Sequence, residues 1–269
     1  MYLDYITDEN LKKHIAETIK QYDKKLEAYS LKKFNENIVD PIKLLFDKSV
    51  YRLSWIDTIN NEIFRQRDKA TNNDIGYFHQ RIFAYMKNCE VPNEGWDVIF
   101  RSKEGVALPD GDTVHTIYVE MKNKHNTMNS AASSETYDKM KQQLLDDDDC
   151  ACFLVEAIAK KSQNIKWEKK TRDGKKASHK RIRRVSLDCF YEMVTGDPEA
   201  FFKLCTVLPD AIHDLVAEGS APETPDDTAI LELREIAESK NISIEMALFL
   251  LGFHSYIGFE RFADEMKGM

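Results

Sequence analysis

The chain has 269 residues, enough to bury a sizeable core as one elaborated domain, or as one domain with an appendage. Hydrophobic residues make up 42% of it, yet no run approaches the ~18 to 20 uninterrupted apolar residues of a membrane helix. A net charge of −8 argues against a general nucleic-acid coat protein, so any contact with an anionic partner must come from local charge rather than from the whole surface.

The N-terminal third reads as helical. Spaced apolar residues at Leu11, Ile15, Ile19, Tyr22, Leu26 and Tyr29 predict an amphipathic helix within 7–34, with Thr7 or Asp8 as its cap. Pro41 opens a second, shorter helix through Leu44, Leu45 and Phe46. Residues 52–69 follow as a helix with a stripe of Trp55, Ile56, Ile59, Ile63 and Phe64. Asn72-Asn73-Asp74 predicts a break, and the helix resumes over 75–88.

The centre changes character. Residues 96–101, 114–122 and 151–158 predict strands, and Pro109-Asp110-Gly111-Asp112 marks a turn between the first two. A helix over 133–147 separates the second and third strands, which is a crossover, so those two strands should be parallel. Cys152-Phe153-Leu154-Val155 is apolar on both faces, as a central strand should be. Helices are predicted over 186–194, 198–208 and 210–217. Residues 218–227 read as a linker, and 228–269 as a helical tail with Ile230, Leu233, Ile236 and Ala237 on one face. The expected division is a main domain over 1–217 (a helical N-terminal region, 1–90, and a sheet-bearing core, 91–217), the linker, and a C-terminal appendage over 228–269.

Chemistry concentrates where the first two strands end. Trp96-Asp97-Val98-Ile99-Phe100 is an apolar run carrying one acid, and Val114 to Lys122 is a β-type run closing in Glu120-Met121-Lys122. Alternation along a strand puts Glu120 and Lys122 on one face. If the two runs pair, Asp97 arrives beside them. Two carboxylates and an ammonium at a sheet edge are what metal-assisted phosphodiester hydrolysis needs. The triplet alone carries little weight, since the chain also contains Asp23-Lys24-Lys25, Glu168-Lys169-Lys170, Asp173-Gly174-Lys175, Glu238-Ser239-Lys240 and Glu265-Met266-Lys267. Only the copy at 120 closes a run of β-branched and aromatic residues that follows another acid-bearing run. Its plain alternative is a solvated strand end with two surface charges.

Between Lys160 and Arg184 stand twelve Lys or Arg residues and two acids, a net +10. Such a segment suits phosphates on an otherwise acidic body, although a solvated hairpin would look the same. The start, Met1-Tyr2-Leu3-Asp4-Tyr5, has no basic stretch followed by an apolar one, which argues against a secretory signal. Five scattered cysteines (89, 150, 152, 189 and 205) without a Cys-x-x-Cys pair read as reduced thiols of a cytoplasmic protein.

Several segments in order carry a resemblance: Asp40 to Asp47, Asn72 to Gln80, Glu120 to Ser130, Ile158 to Ser162, Arg181 to Ser186 and Tyr191 to Pro209. Together they resemble type II restriction endonucleases of the PD-(D/E)XK superfamily, nearest to the group that cuts GGNCC sites. Where that superfamily often has Pro-Asp, this chain has Trp96-Asp97. The resemblance implies an α/β fold: a restriction-endonuclease-like mixed β-sheet core flanked by helices, with a mostly helical N-terminal region.

Asp97 and Glu120 are the candidate metal ligands, and hard oxygen donors suit Mg2+. By likeness to similar nucleases the carbonyl of Met121 adds a third oxygen. Lys122 would orient the attacking water. The candidate DNA contacts are Lys124, His125 and Asn126 after the strand, with Arg181, Arg183 and Arg184, whose guanidinium forks match guanine O6 and N7. Helices before the first catalytic strand carry an auxiliary acid in similar enzymes, which makes Glu62 a candidate, while Gln80 is a candidate facing the site. The resemblance also implies double-stranded DNA as substrate, a homodimer on a palindromic site, and a cognate methyltransferase in the same restriction-modification system, without implying direct contact with it. The competing readings are a repair or mobile-element nuclease on the same scaffold, a catalytically silent DNA-binding module, and a helical interaction protein.

Overall fold

The computed structural model describes residues 3–125, 128–170, 176–219 and 226–253. These fall into two compact units, one within 1–20 and 73–221 and the other within 21–72 and 222–269.

The first unit holds a six-stranded mixed sheet in the order β1-β2-β3-β4-β8-β5. Its strands are β1 (Cys89–Glu90), β2 (Val98–Ala107), β3 (Thr113–Lys124), β4 (Cys150–Ile158), β5 (Asn164–Lys166) and β8 (Ile182–Ser186). A separate ribbon pairs β6 (Lys169–Lys170) with β7 (Lys176–Ala177). Strands β2 and β3 are antiparallel, joined by the expected turn, in which the Gly111 N–H donates to the Leu108 carbonyl at 2.9 Å. Gly111 has φ +86°, a left-handed conformation that glycine takes without strain.

From β3 the chain crosses over through α5 (Ser130–Asp146) and returns as β4, parallel to β3 as expected. Asn129 caps α5 by accepting from the Ala132 N–H. Strand β4 pairs in parallel with β8 as well. Cys150 to Glu156 are all buried, because helices cover both faces of this central strand.

One sheet face carries Ile117, Val119, Phe153, Val155 and Val185, which pack with Leu11, Ile15, Phe83, Phe190 and Leu204. The opposite face carries Cys152, Leu154 and Ile182 against Tyr137, Met140 and Trp167. Each fully buried Leu, Val or Phe contributes roughly 1.5–3 kcal/mol through removal of apolar area from water.

The helices depart from expectation in register rather than in kind. α1 (Asp8–Asp23) is shorter than 7–34, because Ser30 starts a separate helix, α2 (Leu31–Asn35), by accepting from the Lys33 N–H. α3 (Pro41–Val50) is capped by Asp40, whose carboxylate accepts from the N–H groups of Ile42 and Lys43. α4 (Trp55–Arg81) runs straight through Asn72–Asp74. There the Asn72 amide donates to the Asp68 carbonyl one turn earlier, so its polar side chain is satisfied inside the helix. Ile59 and Ile63 of the expected stripe are buried, whereas Ile56 and Phe64 are exposed. A 3-10 turn over Ile82–Tyr85 ends this segment.

After β8 come α6 (Leu187–Thr195) and α7 (Ala200–Glu218). α7 continues through Pro209 in place of the two helices expected, with Ala200, Leu204 and Ala211 buried along it. Core packing outweighs the hydrogen bond that proline removes. In the second unit, α8 (Ala229–Ser239) and α9 (Ile244–Phe253) join Phe34, Leu44, Ile59 and Ile63 in one cluster around Leu233 and Leu248. Asp227 ties the start of α8 to this cluster, accepting from the Arg67 guanidinium at 2.7 Å and the Tyr29 N–H at 2.9 Å.

Candidate active site

The site lies where β3 runs past the start of β2. At Val98 the ladder pairs β2 with Val119, and one residue earlier the Asp97 N–H donates to the Val119 carbonyl at 3.0 Å. Strand β2 begins there, so the Met121 N–H has no ladder partner on that side. The Asp97 side chain supplies one: Oδ2 accepts from the Met121 N–H at 2.6 Å. Asp97 therefore sits against the backbone of the Glu120-Met121-Lys122 triplet. Gln80, near the end of α4, donates from Nε2 to Asp97 Oδ1 at 3.1 Å and holds the carboxylate from behind.

Glu120 and Lys122 project to the same side of β3, and Lys122 Nζ donates to Glu120 Oε1 at 2.8 Å. A second ammonium reaches the same carboxylate: Lys139 on α5 donates to Glu120 Oε2 at 3.0 Å. Lys139 also bonds the Gly95 carbonyl and lies 4.1 Å over the Trp96 ring. Trp96 is fixed in turn by its indole N–H, which donates to Gln143 Oε1 at 3.0 Å. The residue that stands in place of the more usual proline thus packs on the helix that carries Lys139.

Electrostatics separate the two acids. Burial pushes the Asp97 carboxyl above its ordinary range; the Met121 N–H pulls it back, and the Glu120 charge adds to the rise. Burial pushes Glu120 upward as well, but hydrogen bonds and charge from Lys122 and Lys139 together hold it below the usual value. Among the described residues no group of three or more His, Cys, Asp or Glu side chains gathers as a metal centre. Asp97, Glu120 and the Met121 carbonyl would offer a sparse, all-oxygen donor set. That set fits a hard divalent cation that keeps several waters.

The other candidates fall in different places. His125 follows β3 and lies 3.2 Å from the Glu156 carboxylate and 2.7 Å from the Arg184 guanidinium. Arg184 also pairs with Glu156. Lys124 is exposed, and Asn126 lies outside the described residues. Arg181 is held by Asp112 at 3.0 Å. Arg183, with a side chain only 3% exposed, is committed to Asp110, to Asn164 and to the Lys180 carbonyl. Glu62 belongs to the second unit, where it is buried and bonded by Arg65 at 2.5 Å and Gln66 at 3.2 Å. Reasoning from the sequence missed Lys139 and Glu156. Glu156 left a signal, being the one acid in the apolar run Cys150–Ile158; Lys139 left none, since Lys141 two residues on looks equivalent.

Among the described residues no helix is long and apolar enough to cross a membrane. A family model for the Eco47II restriction endonuclease matches residues 3–217. The chain is 30% identical over 267 residues to the type II restriction enzyme Sau96I of Staphylococcus aureus, covering 96% of this chain and 98% of that one. It is 28% identical over 227 residues to the type II restriction enzyme Eco47II of Escherichia coli, covering 80% and 89%. With that match spanning the sheet, the triplet and Asp97, the chain belongs to the Eco47II restriction endonuclease family and is a type II restriction endodeoxyribonuclease, a hydrolase acting on double-stranded DNA.

Proposed function

We propose that this chain cuts both strands of DNA at a short palindromic site, GGNCC by resemblance, using Mg2+ held by Asp97, Glu120 and the Met121 carbonyl. The observation that carries the reading is the 2.6 Å bond from the Met121 N–H to Asp97, which sets one carboxylate against the strand that bears the other. When bound, a divalent ion stabilises charge developing on the phosphate and lowers the pKa of a coordinated water. Lys122 would orient the attacking water and offset charge at the scissile phosphate, its position set by Glu120. Gln80 keeps Asp97 in place. Orientation of this kind supplies much of the barrier reduction in phosphoryl chemistry.

DNA contacts are assigned to Lys124, His125, Asn126, Arg181 and Arg184. Arg183, being buried, is assigned to the fold. A palindrome is read by two copies related by a two-fold axis, so the working form is a homodimer. The enzyme works in the cytoplasm, where a cognate methyltransferase protects host sites.

Digestion of a plasmid of known sequence with and without Mg2+, followed by mapping of the ends, tests the proposal. Fixed cuts at one palindrome are expected, and Glu120→Ala should abolish them while leaving the circular dichroism spectrum unchanged. Undiminished cutting by that variant would overturn the site. Salt-dependent binding without cutting would leave a silent DNA-binding module.

A further inference from the structure

Next to the proposed catalytic strand, β4 carries a buried carboxylate that the chemistry above does not use. Glu156 is 1% exposed and is the parallel-strand partner of Lys122, so both project from the same sheet face on neighbouring strands. Arg184 on β8 shares that face, since its strand partner Leu154 pairs in turn with Glu120. The Glu156 carboxylate pairs with the Arg184 guanidinium, lies 3.2 Å from His125 Nδ1, and accepts from Gln163 Nε2 at 3.3 Å. A charge this deep is retained only when such partners satisfy it. Arg184 spends one terminal nitrogen on Glu156 and His125. Its Nε is buried without a hydrogen-bond partner among the described residues.

A cavity of about 60 Å³ lies at this cluster, walled by Lys122, Lys124, Ser133, Glu156, Trp167 and Arg184. Three cations against one acid give its wall a net positive charge. It shares Lys122 with the proposed cleavage site. It is therefore placed to take the oxygens of a phosphate close to the one attacked.

We propose that Glu156 is a positioning residue: with His125 packed against the same ion pair, it locks Arg184 at the wall of this cavity so that Arg184 clamps the DNA phosphate neighbouring the scissile one. The inference rests on the nuclease reading and adds to it a second phosphate subsite, with the residue that organises it. The clamp fixes the strand's register over Asp97 and Glu120 without touching the reacting atoms. Loss of Glu156 leaves Arg184 and His125 in place chemically but free to turn, so alignment is lost rather than charge.

The test uses single-turnover cleavage in Mg2+ of duplexes carrying the mapped site, with one phosphate at a time replaced by a neutral methylphosphonate. Wild type should slow by roughly 10- to 100-fold when the neighbouring phosphate is neutralised, and Glu156→Gln should slow by a similar factor on unmodified DNA. The neutral phosphate should then add little further loss in Glu156→Gln or in Arg184→Ala. Should Glu156→Gln fold poorly, Arg184→Ala and Arg184→Lys carry the same comparison. Wild-type rates in Glu156→Gln, or variants as sensitive to the neutral phosphate as wild type, would overturn the clamp while leaving the nuclease reading intact. Absence of cleavage by wild type, or retained cleavage by Glu120→Ala, would bring down both.

Discussion

Lys139 donates to Glu120 at 3.0 Å, so the helix that follows β3 returns a second ammonium to the carboxylate on that strand. Glu120 is held below its ordinary range by Lys122 and Lys139 acting against burial. A carboxylate so depressed keeps its charge further into acid. Removing one ammonium raises its pKa, and more alkaline solution is then needed to ionise it. Lys139→Met should therefore move the acid limb of the cleavage rate to higher pH, with greater loss at pH 5 than at pH 8. Single-turnover rates across that range check this; an unmoved limb would remove Lys139 from the electrostatics of the site.

Gln80 reaches the proposed site through its hydrogen bonds to Asp97. Gln80→Leu should lower cleavage roughly tenfold and raise the Mg2+ concentration needed for half-maximal rate, as loss of an outer hydrogen bond to a ligand does. Titration of rate against Mg2+ separates this from a packing defect, which would lower the amount of folded enzyme and leave the half-saturation point where it was.

His79 is a half-buried imidazole whose Nδ1 is out of contact with solvent and has no hydrogen-bond partner among the described residues, and burial, with His14 adding to it, lowers its pKa from 6.5 to about 4. The unfolded chain takes up a proton near pH 6.5 that the folded chain refuses until about pH 4. Stability is thus full above pH 6.5 and falls as the pH drops toward 4, by about 2 kcal/mol at pH 5 for this group alone. His79→Leu should flatten the difference in urea midpoint between pH 7.5 and pH 5. An equal difference in the variant would place the acid sensitivity elsewhere.

Arg183 and Lys124, both basic, should fail in different assays. Arg183→Ala removes a buried guanidinium bonded to Asp110, to Asn164 and to the Lys180 carbonyl, and should lower the urea midpoint clearly. Lys124→Ala, at an exposed position, should leave stability within about 0.5 kcal/mol. It should reduce the slope of DNA affinity against salt by roughly one. The reverse pattern would exchange their roles.

What was legible in the sequence is what short-range periodicity encodes. The strands expected at 96–101, 114–122 and 151–158 overlap those observed at 98–107, 113–124 and 150–158, having been legible as β-branched and apolar runs, and the crossover through α5 was legible as a helix of the right length; the second half of β2, polar and glycine-bearing, was not. Alternation alone set Glu120 and Lys122 on one side. Applied to β8, the same rule separates Arg183 from Arg184, a difference hidden while both stand in one basic run. Lys139 was out of reach because the rotation of α5 about its own axis is fixed by Tyr137 and Met140 packing on the sheet, not by anything local. The packing of α8 and α9 with residues 21–72 was equally hidden, since an apolar face does not state its partner. The continuity of α4 past Asn72 and of α7 through Pro209 shows tertiary burial overriding weak stop signals.

Because β2 begins at Val98, two residues short of the position opposite Met121, the side chain at 97 stands in for a missing stretch of neighbouring strand. Any experiment that truncates this acid therefore does two things: it takes away an anion and it unpins the main chain beneath the triplet. Kinetics of an alanine replacement would mix the two defects. Asparagine, which keeps an oxygen for that amide, isolates the loss of charge, and the gap between the two variants measures how much the enzyme owes to a stiff backbone at 121.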